Sequence, residues 1–189
     1  MKASECWSPS RRALLQGGGI GLLAMTVSGP AALMAARNAR AEGHSLAVLK
    51  TLEGRLLESL GEVLLPGAAQ AGLAHFVDQQ LASPEPLLLL RYLDFPMDHA
   101  EFYREGLAAL DGLASARHAR GFAELASPEQ VALVTEISRG NPTGWQGPPA
   151  PLFFFVTRSD AVDVVYGTQD GFARLDLPYN AHIVPPSNW

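Results

Sequence analysis

Apolar residues recur at intervals of three and four along most of this chain, which is the spacing of one buried face of an α-helix. In residues 45–61 the recurring positions are leucines: Leu49, Leu52, Leu56 and Leu60. Pro66 and Gly67 interrupt the pattern, and it resumes over residues 73–83. The sequence therefore predicts two amphipathic helices joined by a turn, and residues 87–93 add one or two helical turns.

Residues that favour helix ends place two further helices. Asp98 is a good N-cap residue and predicts the start of the longest helix, which runs towards Arg120. Ser127 is followed by Pro128 and Gln130, which predicts a helix with serine as the cap, proline in the first position and glutamine in the capping box.

Residues 152–167 are ambiguous in composition, because phenylalanine and valine favour strands. Phe155, Ser159, Val162 and Tyr166 nevertheless lie three to four apart, which favours a helix. Beyond Gly167 the sequence predicts irregular structure. The expected fold is all-α, a small irregular helical bundle with an extended C-terminal tail rich in proline and aromatic residues.

The first forty residues predict an export signal. Arg11 and Arg12 precede a glycine-rich apolar stretch, and Ala39 and Ala41 form a small-residue cleavage site. A twin arginine in this position indicates the twin-arginine (Tat) pathway, which exports folded proteins to the periplasm. The alternative is a permanent membrane anchor. The predicted organisation is a signal peptide over residues 1–41, a helical domain over 42–177 and a tail over 178–189.

Charge and cysteine content exclude several functions. The chain has 189 residues and a net charge of −5, and residues 1–41 hold five basic residues and one acidic residue, so −9 remains on the rest. Nucleic-acid binding requires clustered basic charge and is not expected. The single cysteine, Cys6, lies in the predicted signal. Disulfides, thiolate catalysis and cysteine-held cofactors are therefore not expected in the exported part.

The sequence contains no strong catalytic or metal-binding motif, and we predict no catalytic, cofactor-binding or metal-ligating residue. His75 and Asp78 lie three apart, a spacing that favours a hydrogen-bonded pair on the surface. Asp160 and Asp163 could act as acid and base or bind a hard cation. A solvated helix face, or contact with an arginine of a partner, is the favoured interpretation of that pair.

Proline and aromatic residues stiffen the C-terminal tail, which suits docking into a groove of a partner protein. Packing of the tail over the chain's own helices is the alternative. The candidate partner-contact residues are Phe155, Tyr166, Tyr179, His182, Ile183, Pro185, Pro186 and Trp189.

Several segments, in order, resemble the gluconate 2-dehydrogenase subunit 3 family. They are the twin-arginine start, LLPGAAQAGLAHFVDQQL (64–81), FYREGLAALD (102–111), FAELASPEQVALV (122–134) and residues 153–189. The resemblance implies a helical small subunit without a cofactor of its own. Its partner would be a large flavoprotein of the glucose–methanol–choline (GMC) class that contains FAD and oxidises alcohols, sugars or sugar acids.

The resemblance further implies that the small subunit assists the maturation, stability and export of the flavoprotein, and that a cytochrome c subunit joins some of these complexes. The expected function is thus a non-catalytic accessory subunit. A free-standing periplasmic helical enzyme or ligand-binding protein, using acids such as Asp160 and Asp163, is the alternative.

Overall fold

Seven α-helices and two short 3₁₀ helices are present in residues 29–178, the part of the chain that the computed structural model describes. The α-helices are α1 (Gly29–Ala41), α2 (Thr51–Leu64), α3 (Leu73–Leu81), α4 (His99–His118), α5 (Ser127–Arg139), α6 (Ala150–Tyr166) and α7 (Gln169–Arg174). The 3₁₀ helices Leu89–Tyr92 and Phe122–Glu124 precede α4 and α5. The predicted all-α fold is confirmed, whereas the tail beyond residue 178 lies outside the described residues.

Helix α6 is the central element of the bundle. It contacts α2, α3, α4, α5, α7 and the first 3₁₀ helix. The phenylalanines and valines that made its sequence ambiguous are distributed around most of its circumference, as expected for a helix buried among others. Phe153 of α6 is fully buried, and its ring centroid lies 6.0 Å from those of both Phe102 and Trp145. This aromatic cluster joins α4 and α6.

The α4 start was predicted correctly, and the α5 start was not. The Asp98 side chain accepts a hydrogen bond from the Glu101 N–H at the start of α4 (3.1 Å). At α5 the N-cap is Ala126, and Ser127 is already helical. The carboxylate of Glu129 accepts the Ala126 N–H (2.9 Å). Glu129 therefore takes the capping-box role that was predicted for Gln130.

Helix α2 begins six residues later than its apolar pattern predicted, because a buried carboxylate holds the preceding loop. The carboxylate of Asp78 on α3 accepts hydrogen bonds, each 2.8 Å long, from the N–H groups of Ala47, Val48 and Leu49. The loop is thereby fixed in a non-helical conformation until Lys50, the N-cap of α2. We call this arrangement the Asp78 clamp.

A short helix, α7, occupies part of the segment for which irregular structure was predicted. Its N-cap is Thr168, whose hydroxyl oxygen accepts the Gly171 N–H (3.1 Å). Helix α7 packs against α6, and Gly171 is buried. The irregular prediction was therefore wrong for residues 169–174, where one capping threonine and a tertiary contact support a single short helix.

A pair of glycines on α4 provides the first test of this packing. A Cβ atom at Gly106 would overlap the Phe153 ring, whereas one at Gly112 meets nothing within 4 Å. We expect Gly106→Ala to lower the free energy of unfolding by about 1–3 kcal/mol through overpacking. Gly112→Ala should raise it by about 0.5–1 kcal/mol, because alanine loses less conformational entropy in a helix. Denaturant titrations of both variants give the comparison, and equal effects would contradict the close contact between α4 and α6.

Candidate partner-docking surface

Two side chains fix the start of α6 and therefore the direction of its faces. The side-chain oxygen of Asn141 accepts the Ala150 N–H (2.7 Å) at the first turn of the helix. The indole N–H of Trp145 donates to the Pro148 carbonyl (2.7 Å) and closes the proline-rich turn that precedes it. Both residues come from the turn-rich segment after α5, which thus serves as a rigid entry to the central helix.

One stripe of α6 faces outward and contains large apolar side chains. Phe155 is 48% exposed and Val162, about two turns further along, is 38% exposed. Arg158 is exposed and Ser159 is half-buried between them. We call these four residues the outer α6 face. An exposed aromatic ring beside an arginine is the composition that protein interfaces favour.

The predicted contact residues are only partly within the described chain. Phe155 is exposed as a docking residue requires, whereas Tyr166 is half-buried and packs against the core. The remaining candidates lie outside the described residues: Tyr179, His182, Ile183, Pro185, Pro186 and Trp189. The hypothesis that they contact a partner stays a prediction.

Two exposed leucines that sequence reasoning missed precede the tail. Leu175 is 48% exposed and Leu177 is 53% exposed, directly after α7. In the sequence these two leucines flank an aspartate just before Pro178, and this alternation was the available signal. A search for helical spacing does not detect apolar residues two apart, so the leucines were missed. These leucines extend the apolar exposure of the chain up to the start of the tail.

The opposite side of α6 contains a buried acid. Asp160 is fully buried, and the Tyr103 hydroxyl on α4 donates to its Oδ2 at 2.5 Å. Its Oδ1 has no hydrogen-bond partner among the described residues. Burial raises the pKa of Asp160 to about 7, the hydrogen bond from Tyr103 opposes this shift, and the charge of Asp163 adds to it. The predicted solvated face was wrong for Asp160, since most of the α6 circumference is buried, while Asp163 is exposed.

His75 and Asp78 do not form the predicted surface pair. Asp78 is 4% exposed and is occupied by the loop of the Asp78 clamp. The His75 Nε2–H donates to the His44 carbonyl (2.9 Å) instead. Three amides in register with one carboxylate are a stronger set of partners than one imidazole, which explains the difference.

The described residues contain no side-chain cluster suited to metal binding. Residues 29–178 hold no group of three or more histidine, cysteine, aspartate or glutamate side chains that could bind a metal ion. Asp160 does not line either of two cavities in this part of the chain, which have volumes of about 130 and 230 Å³. None of the described helices is both long and apolar enough to cross a membrane.

The export-signal residues are split by the limit of the described chain. Arg11 and Arg12 lie outside it. Ala39 and Ala41 lie in the last turn of α1, where Ala39 is 8% exposed and Ala41 is exposed. Cleavage after Ala41 stays a prediction.

Comparison with protein-family models shows which known proteins this chain is related to. The family model described as gluconate 2-dehydrogenase subunit 3 matches residues 51–184, from the first residue of α2 to beyond α7. The chain belongs to the gluconate 2-dehydrogenase subunit 3 family. Comparisons with curated proteins and with solved structures gave no significant match.

As a gluconate 2-dehydrogenase subunit 3, the chain is an accessory subunit of an oxidoreductase complex, and its partners are the other subunits. The outer α6 face lies inside the matched region, and so do the exposed Leu175 and Leu177. The family match therefore includes the main exposed apolar side chains at the C-terminal end of the described bundle.

Proposed function

We propose that this gluconate 2-dehydrogenase subunit 3 is a non-catalytic escort that binds a large FAD-dependent GMC-class flavoprotein and accompanies it through the twin-arginine pathway to the periplasm. The observation that carries the proposal is the outer α6 face, which presents Phe155 and Val162 to solvent in a protein whose family is a subunit family. Docking of the flavoprotein on this face would remove both side chains from water.

The energetics of docking favour stabilisation of both chains. Full burial of a phenylalanine or valine side chain is worth about 1.5–3 kcal/mol relative to exposure. Whatever binds only the folded form of a protein also stabilises that form by mass action. The flavoprotein and the small subunit would therefore protect each other during maturation.

The export route follows from the cofactor. FAD is held inside a folded domain, so a flavoprotein loaded in the cytoplasm has to cross the membrane folded. The twin arginines Arg11 and Arg12 are the type of signal that serves this route. One signal on the small subunit would serve both chains.

The alternative function, a free-standing enzyme or ligand-binding protein, requires a perturbed acid that a substrate can reach. Asp160 has a raised pKa, but it is fully buried and borders neither cavity. Its partners are the Tyr103 hydroxyl and the interior of the bundle. This arrangement favours a structural role for Asp160, so the escort function is the better supported of the two.

The decisive experiment is co-purification from the native host under mild conditions, followed by co-expression with the captured flavoprotein. We expect a yellow FAD-containing chain in the same fraction, and haem bands there would add the cytochrome subunit. Replacing both arginines, Arg11→Lys with Arg12→Lys, should abolish periplasmic dehydrogenase activity. A colourless monomer that turns over a substrate alone would reject the proposal.

Variants of the exposed face test the docking surface. Phe155→Asp should weaken the complex by about tenfold or more, since aromatic anchors dominate interfaces. Val131→Asp on α5 is a matched control, because Val131 has the same 48% exposure. Affinity is measured by titration of the purified flavoprotein, and equal weakening by both variants would contradict the assignment of the face.

Deletion of residues 178–189 separates the two interpretations of the tail. If the tail docks into the partner, the truncated chain should lose flavoprotein binding while its unfolding transition is unchanged. Loss of stability with intact binding would instead indicate packing over its own helices. Circular dichroism melts and the same titration give the two measurements.

A further inference from the structure

Helix α1 lies inside the predicted signal peptide, yet one of its faces is part of the protein core. The buried residues recur at helical spacing: Ala32, Leu33, Ala36 and Ala39, with exposed fractions of 5%, 7%, 0% and 8%. Met34 and Asn38, on the other side, are exposed. An apolar stripe of this kind is typical of a helix that packs on a folded domain.

Two glycines in the rest of the fold lie close to this helix. Gly72, before α3, has a φ of +91°, and a Cβ atom there would lie 2.7 Å from the Ala36 carbonyl oxygen. A Cβ atom at Gly167, after α6, would lie 2.6 Å from Cδ1 of Leu33. The glycine at position 72 therefore allows the backbone of α1 to approach the body more closely than a side chain there would permit.

Two ion pairs hold the polar edge of α1. Arg40 Nε lies 2.9 Å from Oε1 of Glu58 on α2, and Arg37 Nη1 lies 3.6 Å from Oδ2 of Asp170 on α7. Exposed pairs of this type add little stability each. Together they join α1 to two different helices of the body.

The predicted cleavage site is consequently folded. The Glu42 N–H, which belongs to the bond that would be cut, donates to the Asn38 carbonyl (2.9 Å). The His44 N–H donates to the Ala39 carbonyl (2.9 Å), and Gly43 ends the helix with a φ of +70°. A peptidase binds the residues before its scissile bond in an extended conformation, so the last turn of α1 has to unwind before cleavage.

We infer that α1 is a permanent occupant of the groove between α3 and the α6–α7 corner, and that it protects the bond after Ala41 from signal peptidase. The mature protein then keeps residues 29–41 as a helix of its folded body. The inference rests on the proposed export signal only for the identity of the peptidase, since the groove and its occupant are properties of the folded chain.

The test uses the purified full-length chain and purified signal peptidase in detergent, with intact mass as the readout. Proteolysis of a folded segment follows the population of its opened form. We expect Ala36→Asp, which places a charge in the buried side of α1, to be cut after Ala41 at least about tenfold faster than the wild type. Asn38→Asp, on the exposed side of the same helix, should be cut at the wild-type rate.

A second pair of variants tests the groove from the body side. Gly72→Ala would place a methyl group against Ala36, whereas Gly67→Ala, at a similar φ of +94°, meets nothing within 4 Å. Both replacements strain the backbone. Faster cleavage of Gly72→Ala than of Gly67→Ala is therefore the result that reports on the groove. Hydrogen exchange at the amides of residues 33–41 should likewise accelerate in Gly72→Ala and not in Gly67→Ala.

The outcomes distinguish this inference from the proposed function. A wild-type chain that is cut as fast as Ala36→Asp, or an exported chain that begins at Glu42, would overturn the inference and leave the escort function intact. A chain that is not exported, but whose α1 protects the bond in vitro, would reject the escort function and leave the inference intact.

Discussion

Asp160→Asn should be more stable than the wild type at pH 8, and it should lose the part of the pH dependence that Asp160 contributes. The pKa of Asp160 is about 7 in the folded protein, against 3.8 for an unperturbed aspartate. Between these two values the folded state keeps a proton that the unfolded state has released, so the free energy of unfolding falls as the pH rises. Above pH 7 the destabilisation is complete, and it amounts to on the order of 4 kcal/mol.

Asparagine resembles the protonated acid in shape and cannot ionise, which is why the variant is expected to show no such fall. Urea titrations at intervals from pH 4 to pH 8 measure the difference between the two proteins. Asp94→Asn, at an exposed position, is the control for loss of a surface charge. Parallel pH curves for the wild type and Asp160→Asn would mean that Asp160 is ionised throughout this range.

The hydrogen bond from Tyr103 gives an additional check of the same site. This bond stabilises the carboxylate and so lowers the pKa of Asp160, in opposition to burial. Tyr103→Phe should therefore extend the fall in stability to higher pH. Its cost should be larger at pH 8 than at pH 5, because bonds to charged groups are worth more, about 1.5–3 kcal/mol.

The second large effect is expected for the Asp78 clamp. Asp78→Ala removes the acceptor of three backbone N–H groups, one of which, that of Leu49, is buried. We expect a loss of about 3–5 kcal/mol in the free energy of unfolding, with a smaller loss for Asp78→Asn, which retains one acceptor oxygen. Gln79→Ala, the next residue on α3, is the control and should change stability by less than about 1 kcal/mol.

Hydrogen exchange locates the effect of the clamp within the chain. In Asp78→Ala the amides of residues 47–49 should exchange much faster than in the wild type. The exchange rates of the α5 amides should change only as far as the change in global stability requires. A variant that loses no more stability than Gln79→Ala, with the loop amides still protected, would show that the clamp contributes little.

Local sequence signals were sufficient for most helices and failed where distant residues decide the structure. Asp98 and its helix could be predicted because an N-cap acts on residues next to it. The start of α2 could not, because the side chain that holds its preceding loop lies about thirty residues further along the chain. The α5 cap was misplaced by one residue, because serine is the preferred N-cap residue by type, whereas here the Glu129 carboxylate caps the N–H of Ala126.

The faces of α6 were the hardest feature to predict. Its apolar residues are spread around the helix, so periodicity alone does not say which side faces the core. The buried Asp160 accepts a hydrogen bond from Tyr103, 57 positions earlier in the chain, and no local pattern links the two. The same ambiguity concealed the outward position of Val162, whereas Phe155 was selected from the sequence as a contact residue.

The Asp78 clamp also sets how far a cut end could travel. If the bond after Ala41 were cleaved, residues 42–46 would be the only chain ahead of the first clamped amide, that of Ala47. Five residues reach about 17 Å at full extension. A new amino terminus would therefore stay on a short tether beside α3, within reach of the groove that α1 had occupied.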